Sequence, residues 1–328
     1  MLIFRRTAQT VTTLTKEASI VMEQIRTLTE MFEHASKVGP MTISVACAAD
    51  ADVLEAVEAA RKKGIAKAFL AGDADKISQV AQKIGVDLAD YDVVDEKSGE
   101  AAAAMAAVEL VSSGKAQILM KGMLHTDNFL RAVLNKEKGL RSGSVISHVY
   151  FHEIDGYDRI IFVTDGAFIP YPDLPTKAKI IDNVTKFAHA FGVENPKVAV
   201  LGAVEVVNPD MAPTIDAAAL AQMSRRGQIK GCVVDGPFAL DNAISEQSAK
   251  HKGIVSEVAG RADILIVPDI DAGNILAKSI VYFSRNKTAG IVLGAKAPII
   301  LVSRADSAET KMYSIAASVV WAAYQKNR

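Results

Sequence analysis

The sequence predicts an α/β fold with largely parallel strands, and three observations support that prediction. Short apolar runs alternate with longer amphipathic segments from residue 41 onward. Most of the short runs are apolar at consecutive positions rather than at every second one, which is typical of parallel strands covered on both faces. The chain has 328 residues, of which 50% are hydrophobic, and this length allows one large domain or two of ordinary size.

The predicted elements follow one another in a regular order. A helical pattern begins at Met22 and precedes the first strand. The apolar runs that predict strands are residues 42–46, 67–71, 116–120, 144–150, 160–163, 198–201, 231–234, 264–267 and 298–302. The amphipathic segments that predict helices are residues 52–63, 98–113, 174–191, 213–226 and 271–285. The glycine-flanked stretch 139–143 is the best candidate for a boundary between two domains.

Residues 1–21 differ in character from the rest of the chain. They contain three basic residues, one acidic residue and five threonines, without the apolar segment of a secretory signal. We interpret them as a flexible tail or as sequence upstream of a start at Met22. An amphipathic targeting segment is the alternative interpretation.

Composition excludes several classes of protein. The 37 basic and 38 acidic residues give a net charge of -1, which argues against binding to nucleic acid or to an anionic membrane through overall charge. No apolar run reaches the ~18 residues of a membrane-spanning helix. Cys47 and Cys232 stand far apart and outside any CxxC pair, which argues against a disulfide framework and a structural zinc site. We therefore expect a protein of a reducing compartment, the cytoplasm.

Candidate site residues follow the predicted strands, because ligands of open α/β sheets bind beyond the carboxyl ends of the strands. Lys121, Gly122, His125, Asn128 and Arg131 lie where one strand passes into a helix. Grouped at such a turn, they are suited to bind an anion. A capped helix with a solvated basic edge is the simpler explanation of the same pattern.

Two further strand ends carry polar residues. Asp269, Asp271, Gly273 and Asn274 follow the strand at 264–267. We interpret this turn as a helix cap with a surface carboxylate and predict no metal site, since no His or Glu completes a ligand set.

The strand at 298–302 ends at Ser303 and Arg304, a hydroxyl beside a guanidinium that is suited to bind phosphate or to polarise a carbonyl. Asp306 and Glu309 have the spacing of a capping box for the helix that follows. The usual phosphate-binding and nucleophile patterns, GxxxxGK(S/T), GxGxxG and GxSxG, are absent from the sequence.

Taken together and in this order, five segments resemble the phosphate acyltransferase family, which comprises phosphate acetyltransferases and phosphate butyryltransferases. The segments are KGMLHTDNFLR, DGAFIPYPDL, VVDGPFALDNAIS, VPDIDAGNILAKS and GAKAPIILVSRADS. The resemblance extends from about residue 22 to the C-terminus. The forms ALDNAIS and SRADS are more similar to the butyryl branch than to the acetyl branch.

The resemblance implies a reversible reaction in which acyl-CoA and phosphate give an acyl phosphate and CoA. Coenzyme A is then a substrate, and neither a metal, a permanently bound cofactor nor a covalent acyl-enzyme is implied. The implied fold has two α/β domains similar to those of isocitrate and isopropylmalate dehydrogenases, one formed by residues 22–141 with 290–328 and the other by 142–289. The site would lie in the cleft between them, and members of the family are usually homodimers or larger homo-oligomers.

The resemblance also assigns roles to individual residues. Ser303 matches the serine thought to stabilise the reacting carbonyl, Arg304 matches the arginine thought to hold the phosphate, and Arg131 matches a second arginine on the phosphate side. The residues expected to contact the substrates are Lys121, Gly122, His125, Asn128, Asp269, Asp271, Gly273 and Asn274.

The identity of the base for the CoA thiol is open. Acetyl members carry an aspartate in this role where the present chain has Thr310. Asp306 and Glu309 are neighbours that could replace it, since a nearby carboxylate can accept the proton of a thiol.

Other functions are compatible with the same motifs. The chain could be an acyl-CoA-sensing domain without turnover, or a phosphate acetyltransferase. The presence of Ser303, Arg304 and Arg131 favours an enzyme. A dehydrogenase of the related two-domain fold would need a cluster of metal-binding aspartates and a nicotinamide loop, which the sequence does not display.

Overall fold

A computed structural model describes residues 24–303 and 305–327 of the chain. In this part the strands are β1 (Met41–Ala46), β2 (Ala66–Gly72), β3 (Asp92–Asp95), β4 (Ile118–Lys121), β5 (Ser147–Ile154), β6 (Ile161–Thr164), β7 (Lys197–Leu201), β8 (Val233–Phe238), β9 (Ile264–Ile266), β10 (Asn286–Leu293) and β11 (Ile299–Ile300). They form one continuous sheet in the order β3-β2-β1-β4-β11-β10-β5-β6-β9-β7-β8.

Helices connect most of these strands. They are α1 (Leu28–Val38), α2 (Ala51–Lys62), α3 (Ala74–Ile84), α4 (Glu100–Ser112), α5 (Thr126–Val133), α6 (Leu174–Ala190), α7 (Ala212–Arg225), α8 (Leu240–Ile244), α9 (Glu246–His251), α10 (Ile270–Phe283) and α11 (Ala308–Lys326). Across residues 24–303 and 305–327, no helix combines the length and the apolar character needed to cross a bilayer.

The strands of the sheet fall into two parallel groups that point in opposite directions. β10 is antiparallel to both β11 and β5, and β5 is antiparallel to β6. The pairs among β1, β2, β3, β4 and β11 are parallel, as are those among β6, β7, β8 and β9. The two groups are staggered, so that the last residues of β6 and β11, Thr164 and Ile300, lie at the same level across β5 and β10. The carboxyl ends of the two groups therefore meet near the middle of the sheet.

The two faces of the sheet are packed differently. One face, called here the back face, carries α1, α2, α3, α6, α7 and α11 over a single apolar core that runs across both groups of strands. Phe151, Phe162, Phe187 and Phe191 form its aromatic centre, with ring centroids 4.9–6.2 Å apart. The opposite face, called here the cleft face, has two separate cores.

The cores of the cleft face leave the central strands between them. One core lies under α4 and α5 and includes Leu119 and Ile299. The other lies under α8, α9 and α10 and includes Val163 and Leu265. The gap between the two cores is a cleft on this face, over β10 and β5.

The structure confirms the predicted α/β class, and the predicted strands match observed ones within a few residues. Two strands, β3 and β10, are additional. β3 is a short edge strand of sequence DVVD, and β10 begins with Asn286, Lys287 and Thr288, so neither has the continuous apolar character from which the other strands were predicted. The domain boundaries at 141 and 289 stay a prediction, and the predicted tail 1–21 lies outside the described residues.

Candidate active site

Ser303 lies in an exposed turn that joins β11 to α11. Its backbone N–H donates to Asp306 Oδ2 (2.8 Å), and the Asp306 N–H donates to the Ser303 carbonyl (3.1 Å). The Ala305 N–H donates to Ser303 Oγ at 3.3 Å. The turn therefore brings the predicted serine and one of the two predicted carboxylates together. Arg304 lies outside the described residues.

The predicted capping box of Asp306 and Glu309 is wrong. The N-cap of α11 is Ser307, whose Oγ accepts the Thr310 N–H at 3.2 Å. The Asp306 carboxylate accepts the Ser303 N–H instead. Glu309 is exposed and accepts a hydrogen bond from the Tyr313 hydroxyl at 3.4 Å.

Lys311 supports this turn from below, and its role was not foreseen from the sequence. Its side chain is buried, and its Nζ donates to the Asp306 carbonyl. Asp52 Oδ2, in the first turn of α2, lies 4.0 Å from the same Nζ. A buried ammonium beside the turn therefore fixes Asp306 and adds positive charge near Ser303.

The turn between β4 and α5 emerges beside the Ser303 turn. β4 and β11 are parallel neighbours, with Ile300 in register with Met120, so both turns leave the same end of the sheet. Lys121 is the buried last residue of β4. Gly122 packs against the chain after β1, where a Cβ atom would come 2.6 Å from the Ala46 carbonyl oxygen, so only glycine fits there.

Glu100, at the start of α4, organises the predicted anion-binding residues. Its Oε2 accepts the backbone N–H of His125 (2.9 Å) and the side-chain amide of Asn128 (3.1 Å), and His125 Nδ1 lies 3.2 Å away. The His125 N–H, followed by the Asn128 amide, lowers the pKa of Glu100. His125 and Asn128 are therefore oriented by a carboxylate, which no local sequence pattern indicated.

Arg131 lies on α5, three residues after Asn128. It is exposed, and its guanidinium has no hydrogen-bond or ion-pair partner among the residues that the structure describes. Such a side chain is available to an anionic ligand.

The start of α10 follows β9, on the other side of β10 and β5 from the Ser303 turn. Asp269 is the N-cap of α10 and accepts the Ala272 N–H at 2.9 Å, whereas Asp271 is exposed. Asn274 Nδ2 donates to the Gly166 carbonyl (3.2 Å), and a Cβ on Gly273 would lie 2.7 Å from Gly166 Cα. These residues pack α10 against the turn after β6, so the contacts do not join them to Ser303.

This segment does not form a metal site in the structure. Among the described ranges, no group of three or more His, Cys, Asp or Glu side chains is arranged to hold a metal ion. The helix-cap interpretation of Asp269 is confirmed.

Asp165, directly after β6, is a buried carboxylate that the sequence analysis did not single out. Its Oδ1 accepts the N–H groups of Ala167 (3.0 Å) and Phe168 (2.9 Å). Its Oδ2 is buried without a hydrogen-bond partner within residues 24–303 and 305–327. Burial raises the pKa of Asp165 to about 6, since a charged carboxylate loses hydration there.

Two cavities flank the turns at the Ser303 end of the sheet. A cavity of about 320 Å³ opens beside the β4–α5 turn and includes Cys47, Lys76, Glu100 and Met123 in its lining. A second, of about 430 Å³, is lined in part by Arg285, Lys287, Ser307 and Thr310. Both contain cationic side chains.

Comparison with known proteins identifies the family. The family model described as Phosphate acetyl/butaryl transferase matches residues 100–319. The chain belongs to this family. Phosphate butyryltransferase of Clostridium acetobutylicum is 55% identical over 274 residues, which cover 84% of this chain and 91% of that protein. Phosphate butyryltransferase of Clostridium beijerinckii is 50% identical over 297 residues, which cover 90% and 98%.

Solved structures are similar over the same length. A branched-chain phosphotransacylase from Enterococcus faecalis has a TM-score of 0.77 and 32% identity, over 86% of this chain and 99% of that one. The fold alone is also similar to that of 4-hydroxythreonine-4-phosphate dehydrogenase from Klebsiella pneumoniae, with a TM-score of 0.53 at 13% identity, over 87% and 100% of the two chains. The resemblance and the dehydrogenase-like fold predicted from the sequence are thus confirmed.

Proposed function

We propose that the chain is an enzyme that transfers a short-chain acyl group between CoA and phosphate, with butyryl-type substrates. The reaction is acyl-CoA plus phosphate giving acyl phosphate plus CoA, by direct exchange in a ternary complex. The observation that carries this proposal is the 55% identity to a phosphate butyryltransferase over 84% of the chain. The exposed Ser303 turn beside the β4–α5 turn supplies a place for the reaction.

The residues of these two turns suit the charges that develop during the reaction. Attack on the thioester or acyl phosphate places negative charge on the carbonyl oxygen, and phosphate carries two charges near neutral pH. Ser303 would donate to the carbonyl oxygen, and Arg304 and Arg131 would bind phosphate. Positioned donors of this kind contribute ~3–4 kcal/mol each to the transition state.

Asp306 is the better candidate for the base of the thiol. Its carboxylate is held next to Ser303 by the Ser303 N–H, whereas Glu309 is exposed and its carboxylate contacts Tyr313. Lys311 fixes the backbone of Asp306 from the other side. We assign deprotonation of the CoA thiol to Asp306.

The proposal also covers substrate binding, the cofactor, the location of the enzyme and its oligomeric state. Lys121, Gly122, His125 and Asn128 bind the substrates at the β4–α5 turn, and the segment at Asp269, Asp271, Gly273 and Asn274 lines the far part of the cleft. CoA acts as a substrate, with no permanently bound cofactor. The enzyme works in the cytoplasm as a homodimer or larger homo-oligomer.

A thiol-release assay tests the proposal directly. The purified chain is mixed with phosphate and acetyl-, propionyl-, butyryl- or isobutyryl-CoA, and free CoA is measured. We expect release that depends on phosphate and is highest with a four-carbon chain, and we expect Ser303→Ala to lower it. Binding of acyl-CoA without release would identify a sensing domain, and a preference for acetyl-CoA would identify a phosphate acetyltransferase.

A further inference from the structure

Tyr150 is a partly exposed aromatic side chain on the cleft face of β5. His148, Tyr150 and His152 alternate along this face, and the two histidines are fully buried while Tyr150 is partly open to solvent. The Tyr150 ring lies against the His148 ring, with centroids 4.3 Å apart. Its hydroxyl has no hydrogen-bond partner among the residues described in the structure. An aromatic ring with an unengaged hydroxyl therefore forms part of the cleft floor.

The neighbouring strand holds this ring in place. Gly290 of β10 is in register with Tyr150. A Cβ at Gly290 would come 2.9 Å from His148 Nε2 and 3.7 Å from Tyr150 Cδ1. The rings thus occupy the space that a side chain on β10 would take. Because His148 fills the space behind it, the Tyr150 ring has little room to move away from the cleft.

Tyr150 lies between the two polar ends of the cleft. Burial raises the pKa of the Tyr150 phenol to about 12, and the carboxylates of Asp306 and Asp165 contribute in the same direction. Asp306 belongs to the turn after β11, and Asp165 follows β6, with β10 and β5 between these two strands. A ligand that begins at Ser303 and extends along the cleft floor meets Tyr150 before it reaches Asp165.

The surroundings of the ring suit an apolar chain. The side of the site at the β4–α5 turn is cationic, with Lys121 and Arg131, and is assigned above to phosphate. On the opposite side Tyr150 packs against the core under α10, which contains Val163 and Leu276. An acyl chain whose carbonyl lies at Ser303 gains by extending toward that apolar side.

We propose that Tyr150 is a specificity-determining residue that forms the floor of the acyl subsite and limits the length of the acyl chain. This inference rests on the proposed acyltransferase function, because it places the thioester carbonyl at Ser303. The ring, rather than the hydroxyl, sets the limit, since its volume occupies the path of the chain.

The test compares acyl-CoA substrates of increasing length in matched variants. The ratio of kcat/KM for hexanoyl-CoA to that for propionyl-CoA is measured in the wild type, Tyr150→Ala, Tyr150→Leu and Tyr150→Phe. The control is Tyr324→Ala, which makes the same truncation on α11, on the back face. The ratio is independent of the fraction of active enzyme, so a partly destabilised variant still reports on the subsite.

We expect Tyr150→Ala to raise the ratio by about tenfold or more, because each methylene accommodated in an apolar pocket changes discrimination by at least about tenfold. Tyr150→Leu is expected to raise it less, and Tyr150→Phe and Tyr324→Ala are expected to keep the wild-type ratio. A kcat/KM ratio in Tyr150→Ala within twofold of the wild-type ratio would overturn this inference and leave the proposed function intact. If the alanine variant does not fold, the same result in Tyr150→Leu would overturn it. A wild-type chain that turns over no acyl-CoA would overturn the proposed function and this inference with it.

Discussion

At the scale of single residues, the guanidinium of Arg304 is the group on which phosphate binding is expected to depend most. A planar, permanently charged fork matches two phosphate oxygens, and lysine keeps the charge without that geometry. We expect Arg304→Lys to be impaired and Arg304→Ala more so, with kcat/KM for phosphate reduced by about tenfold or more. Steady-state kinetics with phosphate varied measure this, and binding of CoA alone should change far less. An unchanged kcat/KM in Arg304→Ala would contradict the assignment.

The two candidate bases differ in their surroundings, and this difference leads to a second prediction. Asp306→Asn should lower kcat by about a hundredfold, in the range typical of general base catalysis, while the amide oxygen can still accept the Ser303 N–H. Glu309→Gln should keep near-normal turnover, because Glu309 is exposed. The kcat values of the two variants are compared with that of the wild type. If both variants have the wild-type kcat, phosphate or water takes the thiol proton.

Asp165 makes stability depend on pH. Its pKa is raised from 3.8 to about 6 by burial, so the folded state binds this proton more tightly than the unfolded state. The contribution of Asp165 to the free energy of unfolding should therefore fall as the pH rises from about 4 through 6, by roughly 3 kcal/mol, and stay lower above that range. Burial lowers the pKa of His148 and of His152, so these two groups contribute in the opposite direction, and the contribution of Asp165 is seen in the difference between the wild type and a variant.

Asp165→Asn should remove this contribution, because the amide oxygen can still accept the two backbone N–H groups without carrying charge. Urea unfolding between pH 4 and 7.5 measures the effect. Asp210→Asn, a change at an exposed aspartate, serves as the control. A difference in the free energy of unfolding between the wild type and Asp165→Asn that does not change with pH would argue against a buried titrating carboxyl.

At the scale of elements, α11 begins one residue later than the sequence pattern indicates. Asp306 and Ser307 are both good N-cap residues. The Asp306 carboxylate accepts the Ser303 N–H, and Ser307 is the N-cap. Ser307→Ala should therefore lower the free energy of unfolding by about 1 kcal/mol, and Glu309→Gln should change it by less than half of that. Chemical denaturation measures both values, and a neutral Ser307→Ala would contradict the cap.

The elements that could be predicted from sequence are those with a local signature. β1, β7 and β9 are apolar runs, and α6 has Asp173 as its cap and a proline in the first turn, so short-range patterns identify them. β10 was missed because it begins with three polar residues, and its central place in the sheet depends on Gly290, which leaves room for rings from β5. No window of neighbouring residues contains that information.

The site shows the same division between local and long-range information. Ser303 and the β4–α5 turn could be located from the sequence because polar residues follow apolar strands there. Glu100 is 25 residues from His125, and Lys311 acts through a backbone carbonyl. Their roles arise from how α4 and α11 pack, which the sequence pattern does not specify.

At the scale of the whole molecule, the reversal of strand direction across β10 and β5 brings the carboxyl ends of the two groups of strands toward one another near the middle of the sheet. The start of α10 packs on the turn after β6, so the stagger is compatible with grouping Asp269–Asn274 with Ser303, which stays a prediction. The continuous back-face core joins the two groups of strands. The two cores of the cleft face are separate, and the substrates can bind in the space between them.

The outer surface of α10 leads to the last prediction. Ile275, Tyr282 and Phe283 are 66%, 72% and 89% exposed, and only Gly273 and Ala277 of this helix are buried. Monomeric proteins rarely leave large apolar side chains grouped on one helix, and burial against a second copy would remove them from water. We therefore expect the homo-oligomer to form through α10.

Size-exclusion chromatography with light scattering measures the oligomeric state. The wild type should elute as a dimer or larger species, and Phe283→Asp should shift it toward the monomer, because a carboxylate would be desolvated in the interface. Val206→Asp, at another exposed apolar side chain (62%) outside α10, should leave the assembly intact. A monomeric wild type, or an unchanged assembly in Phe283→Asp, would place the apolar surface of α10 outside any interface between copies of the chain.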